Sequence, residues 1–172
     1  MKNIVLVGFM GTGKTEIARG LARDLEKKYV SVDALIESVE KRKIKDIFSS
    51  DGEPYFRRAE KRVIKELSEK TDLIIDTGGG AVLDSENMVS LKKNGIIVCL
   101  WASPDVIYRR TKSHGHRPLL NVEDPEKRIK EMLEYRRPFY EKADAHIDTS
   151  GLTKKEVRER IKEIIGEYGR EN

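Results

Sequence analysis

Gly8-Phe9-Met10-Gly11-Thr12-Gly13-Lys14-Thr15 decides the reading of this 172-residue chain. The octet fits G-x-x-x-x-G-K-[ST], follows directly on the apolar run Ile4 to Val7, and opens a segment in which Ile17, Ala18, Leu21, Ala22 and Leu25 share one helical side. Strand, glycine loop and amphipathic helix in that order make a phosphate cradle. The glycines let backbone N–H groups wrap phosphate oxygens, and the helix N-terminus adds positive potential. Lys14 is placed to bridge phosphate oxygens, and the Thr15 hydroxyl is a ligand for Mg²⁺. Gly11, Thr12, Gly13, Lys14 and Thr15 are therefore the expected nucleotide-binding residues, against the plainer alternative of an ordinary strand-to-helix turn.

Outward from this loop, short apolar runs read as strands at Ile4 to Val7, Tyr29 to Val32, Leu73 to Ile75, Ile96 to Trp101 and Ala145 to Ile147. Helical periodicity between them predicts helices over Thr15 to Lys28, Pro54 to Glu69, Ser85 to Lys93, Pro104 to Thr111, Pro125 to Lys142 and Thr153 to Tyr168. Pro54, Pro104 and Pro125 suit first-turn positions, where no intrahelical donor is lost. The alternation implies an α/β fold of three layers, a five-stranded parallel sheet between helices. The length suits one domain spanning 1–172. The segment 112–123, with Gly115 and Pro118 between two helices, is the expected mobile lid.

Composition narrows the function classes. The net charge of +4 comes from 34 basic and 30 acidic residues intermixed along the chain, so no nucleic-acid partner is indicated. No apolar run approaches membrane-spanning length and no leader pattern precedes the loop, so a cytoplasmic protein without a membrane partner is expected. Cys99, alone in the run Ile96 to Leu100, reads as core packing. Within the nucleotide-loop class, the chain has no Asn-Lys-x-Asp guanine-reading sequence and is short for motor machinery, which leaves a small-molecule kinase. Its acceptor site belongs at the carboxyl ends of neighbouring strands.

Those ends carry Ser31-Val32-Asp33 and Asp76-Thr77-Gly78-Gly79-Gly80, the expected helices and the turn before one of them add Asp51-Gly52-Glu53-Pro54-Tyr55-Phe56-Arg57-Arg58-Ala59-Glu60 and Arg136-Arg137-Pro138-Phe139-Tyr140, and the expected lid carries Arg117-Pro118-Leu119-Leu120. In this order and spacing the chain resembles the shikimate kinase family from Gly8 to about Ser150. The resemblance implies ATP-dependent phosphorylation of shikimate with Mg²⁺, in aromatic amino-acid biosynthesis, by a monomer. It implies that Arg57 and Arg136 bind the shikimate carboxylate, for which paired guanidinium donors are suited. Asp33 matches the residue that binds ring hydroxyls and orients or deprotonates the attacking one. Gly78, Gly79 and Gly80 match the pocket lining, Glu60 the glutamate that holds the arginine, and 33–60 the acceptor-binding segment. Arg117 matches the lid arginine that neutralises the transferring phosphate, and Arg110 the one that packs on adenine. Asp148 to Gly151 occupies the second adenine-side loop. His114 and His116 read as solvent-facing lid residues, and His146 as structural.

Each residue also has a plainer use. Arg57 could sit on a solvated face, Asp33 could cap the following helix, Gly78 to Gly80 could be a turn, and Arg136 could pair with Glu134 or Glu141. Two positions depart from the family pattern. The family usually has Asp-x-Asp after the second strand, where this chain has Ser31, and a serine before the glycine triplet, where this chain has Asp76. The exchange is reciprocal, so Asp76 is expected to join Thr15 at the metal site. Two other functions remain open at this point: a kinase paralogue acting on another small hydroxy acid or polyol, and a nucleotide-binding regulator without transfer.

Overall fold

The structure, a computed structural model, describes residues 2–112, 120 and 122–170. Strand β1 (Asn3–Val7) is buried along its whole length, as a strand covered on both faces must be. Its Val5 and Val7 join one apolar cluster, and Ile4 and Leu6 the other. With β2 (Lys28–Ser31), β3 (Leu73–Asp76), β4 (Gly95–Trp101) and β5 (Ala145–Asp148) it forms a five-stranded sheet of order β2-β3-β1-β4-β5, parallel throughout. Cys99 is buried in that core, and burial pushes its thiol up to about 12.

Helices α1 (Lys14–Asp24) and α7 (Lys154–Tyr168) cover one face through Ile17, Leu21, Val157 and Ile161. The opposite face is covered by α2 (Val32–Glu40), α3 (Ile44–Ser68), α4 (Ser85–Lys93), α5 (Pro104–Thr111) and α6 (Pro125–Tyr140). Sequence order reverses on either side of β1, which pairs with β3 and with β4, and the glycine loop leaves the sheet at that switch point. Gly8 is obligatory there because a Cβ would stand 2.2 Å from the Leu100 carbonyl oxygen. Gly13, at φ 92°, supplies the left-handed turn that starts α1.

Several boundaries differ from the expectation. The first helix ends at Asp24 rather than Lys28, because Glu26 adopts φ 53° and turns the chain into β2. Val32 belongs to α2, a helix the apolar runs did not reveal: Ser31 ends β2, and its side chain accepts from Ala34 N at 3.2 Å. The helix expected from Pro54 starts at Ile44 and is broken at Gly52 (φ 77°, ψ 173°), so Pro54 still falls just after a break, where its missing donor costs least. Helix α6 ends at Tyr140 rather than Lys142. Ile36 and Ile47, both fully buried, tie the 33–60 segment to the core; truncating either to alanine costs about 2–5 kcal/mol. Among the described residues no helix is long and apolar enough to cross a membrane.

Candidate active site

The glycine loop borders a cavity of about 780 Å³ that also reaches Ser31, Asp33, Asp76, Gly78 and Arg110. Lys14 Nζ donates to the carbonyl oxygens of Gly8 at 2.7 Å and Phe9 at 3.0 Å, which holds the ammonium against its own loop. Thr12 Oγ1 donates to Phe9 O at 2.8 Å and closes the same turn.

One side of the cavity is built around a buried carboxylate. Thr15 Oγ1 donates to Asp76 Oδ2 at 2.7 Å, and the Tyr29 hydroxyl donates to that same oxygen at 3.2 Å. Ser31 is the register partner of Asp76 across the β2–β3 ladder, and Leu6 its partner on β1. Burial, reinforced by the Asp76 carboxylate, pushes the Tyr29 phenol up. Among the described residues no three His, Cys, Asp or Glu side chains converge, so an all-protein cage is not the arrangement here. A hydroxyl and one carboxylate beside a phosphate loop instead suit Mg²⁺, which keeps waters and takes substrate oxygens as ligands.

The acceptor side gathers around Gly78. A Cβ there would lie 3.0 Å from Asp33 Oδ1 and 3.2 Å from Glu60 Oε1, so two carboxylates face one small space. Both oxygens are buried without a hydrogen-bond partner among the described residues. Orphaned acceptors are costly, and hydroxyl donors from a ligand would satisfy them. Burial pushes the Asp33 carboxyl up, Asp76 adds to the effect, and Lys14 and Arg57 oppose it. Asp33 is not the cap of α2, which is Ser31, so its carboxylate is left for the cavity.

Arg57 is held from two directions, Nη1 donating to Glu60 Oε2 at 2.8 Å and Nη2 to Glu53 Oε1 at 3.0 Å. Glu60 is 1% exposed; burial pushes its carboxyl up while Arg57 pulls it down. The guanidinium fills the open face of Gly80, where a Cβ would meet Nη2 at 2.4 Å. Arg136 turns inward: Nη1 donates to Gly79 O at 3.2 Å, and its guanidinium lies 5.5 Å from the Phe9 ring centroid. Tyr140 donates to the same Gly79 oxygen at 2.8 Å, so the glycine triplet is a tethered turn. Arg110 donates to Thr149 O at 3.0 Å, Thr149 Oγ1 at 3.1 Å and Gly11 O at 3.3 Å, which joins α5, the loop after β5 and the phosphate loop.

The fold thus brings together Lys14, Thr15, Asp33, Asp76, Gly78, Gly79 and Arg110 around one cavity, while Arg57, Gly80 and Arg136 do not line it but touch the glycines and carboxylates behind its wall. Arg117, like His114 and His116 and most of the expected lid 112–123, lies outside the described residues. Tyr29, Glu53, Tyr140 and Thr149 were not singled out from the sequence.

The glycine loop and the side that carries Arg57, Arg136 and two buried carboxylates meet at Asp33 and Gly78, an arrangement of the P-loop phosphotransferase class that acts on small molecules. The shikimate kinase family model matches residues 10–166, and the chain belongs to that family. It is 53% identical over 170 residues to the shikimate kinase of Thermodesulfovibrio yellowstonii, covering 99% of this chain and 96% of the relative. The shikimate kinase of Caldanaerobacter subterraneus subsp. tengcongensis is 48% identical, with 94% of each chain covered. Among solved structures, shikimate kinase from Acinetobacter baumannii in complex with shikimate superposes with a TM-score of 0.91 at 36% identity, covering 98% of this chain and 94% of that one.

Proposed function

We propose that the chain transfers the γ-phosphoryl group of ATP to a hydroxyl of shikimate, giving shikimate 3-phosphate and ADP, with Mg²⁺ as the companion ion. The observation that carries this reading is Asp33 Oδ1, a buried carboxylate oxygen without a partner among the described residues, beside Gly78 and near the Arg57–Glu60 pair. An ionised Asp33 accepts the hydroxyl hydrogen, which aims the oxygen lone pair outward from the acceptor. The new O–P bond forms as the bond to the ADP oxygen breaks, and the proton passes to Asp33. Arg57 and Arg136 hold the acceptor carboxylate and set which hydroxyl is presented. Lys14 neutralises phosphate charge, and Arg117 from the 112–123 lid adds to it while water is excluded. Arg110 packs against the base.

Mg²⁺ would be held by Thr15 and Asp76 and would neutralise charge on the nucleotide phosphates. The Thr15–Asp76 contact of 2.7 Å supports that assignment, because it puts the loop hydroxyl and the carboxylate in one place. The 33–60 segment is the acceptor-binding part of a single P-loop kinase domain. The reading includes a monomer, since one chain carries every residue the chemistry calls for, acting in the cytoplasm where ATP is present.

Coupled ADP release with MgATP, measured with and without shikimate, tests the reading. Release that depends on shikimate and saturates with it supports the acceptor. Equal release without it, or release only with other hydroxy acids, overturns it.

A further inference from the structure

Asp76 is a buried carboxylate whose Oδ2 receives two hydroxyls from different elements. Thr15 has a second duty, since its oxygen is a metal ligand in this type of loop. Tyr29 has no such duty. We propose that Tyr29 is a positioning residue for the metal-side carboxylate: its phenol O–H fixes Asp76 Oδ2 from the neighbouring strand, so that the carboxylate meets the ion in one orientation. The proposal rests on the reading of Asp76 as that carboxylate.

The sheet register makes the contact specific. Tyr29 pairs with Ile74, and Asp76 stands two residues further along the same face of β3. From that diagonal position the long aromatic side chain reaches the carboxylate, its hydroxyl 3.2 Å from Oδ2, where a serine at the same place would fall short. Ser31, directly opposite Asp76, has its oxygen engaged with Ala34 N at the start of α2. The carboxylate is therefore approached from two positions back, where only a long side chain ending in a donor can reach it.

The ring is also held. It packs against the cluster formed by α1 and α7, and the Arg19 guanidinium carbon lies 5.4 Å from its centroid. A phenol fixed on its sides presents its hydroxyl in one direction, which is what orienting a carboxylate requires. The plainer reading is that Tyr29 only fills space. Phenylalanine separates the two, because it keeps the ring, its packing and the Arg19 guanidinium over the ring face, and removes the hydroxyl together with its contacts to Asp76, Arg19 and Ser31.

The experiment is calorimetric binding of ADP across a Mg²⁺ series, for wild type, Tyr29→Phe, Asp76→Asn and the double variant, with steady-state turnover alongside. Partners that orient metal ligands matter by about 10- to 100-fold, so Tyr29→Phe should raise the half-saturating Mg²⁺ about 10-fold. Its ADP affinity without Mg²⁺ and its melting temperature should match wild type. Asp76→Asn should shift the requirement at least as far, and the double variant no further than Asp76→Asn alone. If Asp76→Asn shifts the requirement and Tyr29→Phe does not, Tyr29 is packing and the metal reading of Asp76 stands. If neither shifts it, both readings fall. If Tyr29→Phe shifts it and the two effects add in full, Tyr29 acts by a route other than Asp76 and the proposal is overturned.

Discussion

Ser31 and Asp76 are register partners on adjacent parallel strands, and the two positions at which this chain departs from its family are therefore neighbours in space. In the proposed reading, the acidic side chain that the family resemblance expects at position 31 is replaced by Asp76, whose carboxylate accepts from the Thr15 hydroxyl.

That relationship predicts how a mutant cycle behaves. Asp76→Ser should raise the Mg²⁺ needed for half-maximal turnover and lower kcat by about 10- to 100-fold, and Ser31→Ala should do much less. Ser31→Asp/Asp76→Ser, the usual family arrangement, should recover much of the loss, as coupled neighbours do. Mg²⁺ titration of turnover is the check, and an unchanged requirement in Asp76→Ser would make Asp76 a turn residue.

Arg57→Ala and Arg136→Ala should each lower kcat/KM for shikimate by about 10- to 150-fold, the equivalent of a charge-assisted hydrogen bond contributing about 1.5–3 kcal/mol. ADP affinity should hold in both, because neither residue borders the nucleotide loop's cavity. Near-normal shikimate kinetics in both variants would remove the carboxylate-binding assignment.

The glycine loop, the five strands and the nearness of Arg57 and Arg136 to the glycine triplet were legible because each signal is local: a motif with its flanking strand and helix, an apolar run, an arginine at a fixed offset. Helix α2 was hidden because Val32 reads as the last residue of an apolar run, although it lies on the helical side of the Ser31 cap. The extension of α3 back to Ile44 was hidden because Gly52 and Pro54 punctuate the sequence where the structure merely kinks. The Tyr29–Asp76 and Tyr140–Gly79 contacts span 47 and 61 residues of sequence, and they exist only once the register and the packing of α6 are known.

Gly80→Ala tests whether the acceptor pocket depends on space at the triplet. The added methyl would meet the Arg57 guanidinium, with Nη1 at 2.7 Å and Nη2 at 2.4 Å, at the far end of a flexible side chain. The arginine should yield rather than the backbone. KM for shikimate should rise about 10-fold, in line with a displaced carboxylate donor, while the melting temperature changes little. A clearly lower melting temperature with no change in KM would place the glycine's role in the backbone.

Asp33 should weigh against stability at neutral pH. Burial raises its pKa, so the folded chain holds that proton more tightly than the unfolded one. Its favourable contribution is present below the unfolded value of about 4 and is lost as pH rises through the folded value. Asp33→Asn should therefore raise the melting temperature near about pH 7.5, by an amount that shrinks on acidification toward about pH 4. Thermal unfolding at the two pH values checks the sign, and a gain confined to acid would contradict it.

The same variant tests the central claim, that Asp33 addresses the reacting hydroxyl. A positioned general base contributes about 10²- to 10⁴-fold, so Asp33→Asn should lower kcat for shikimate by at least about 100-fold, far more than it changes MgADP affinity. Its folded state is checked by the melting curve. Turnover of shikimate close to wild type in a folded Asp33→Asn protein would contradict the account.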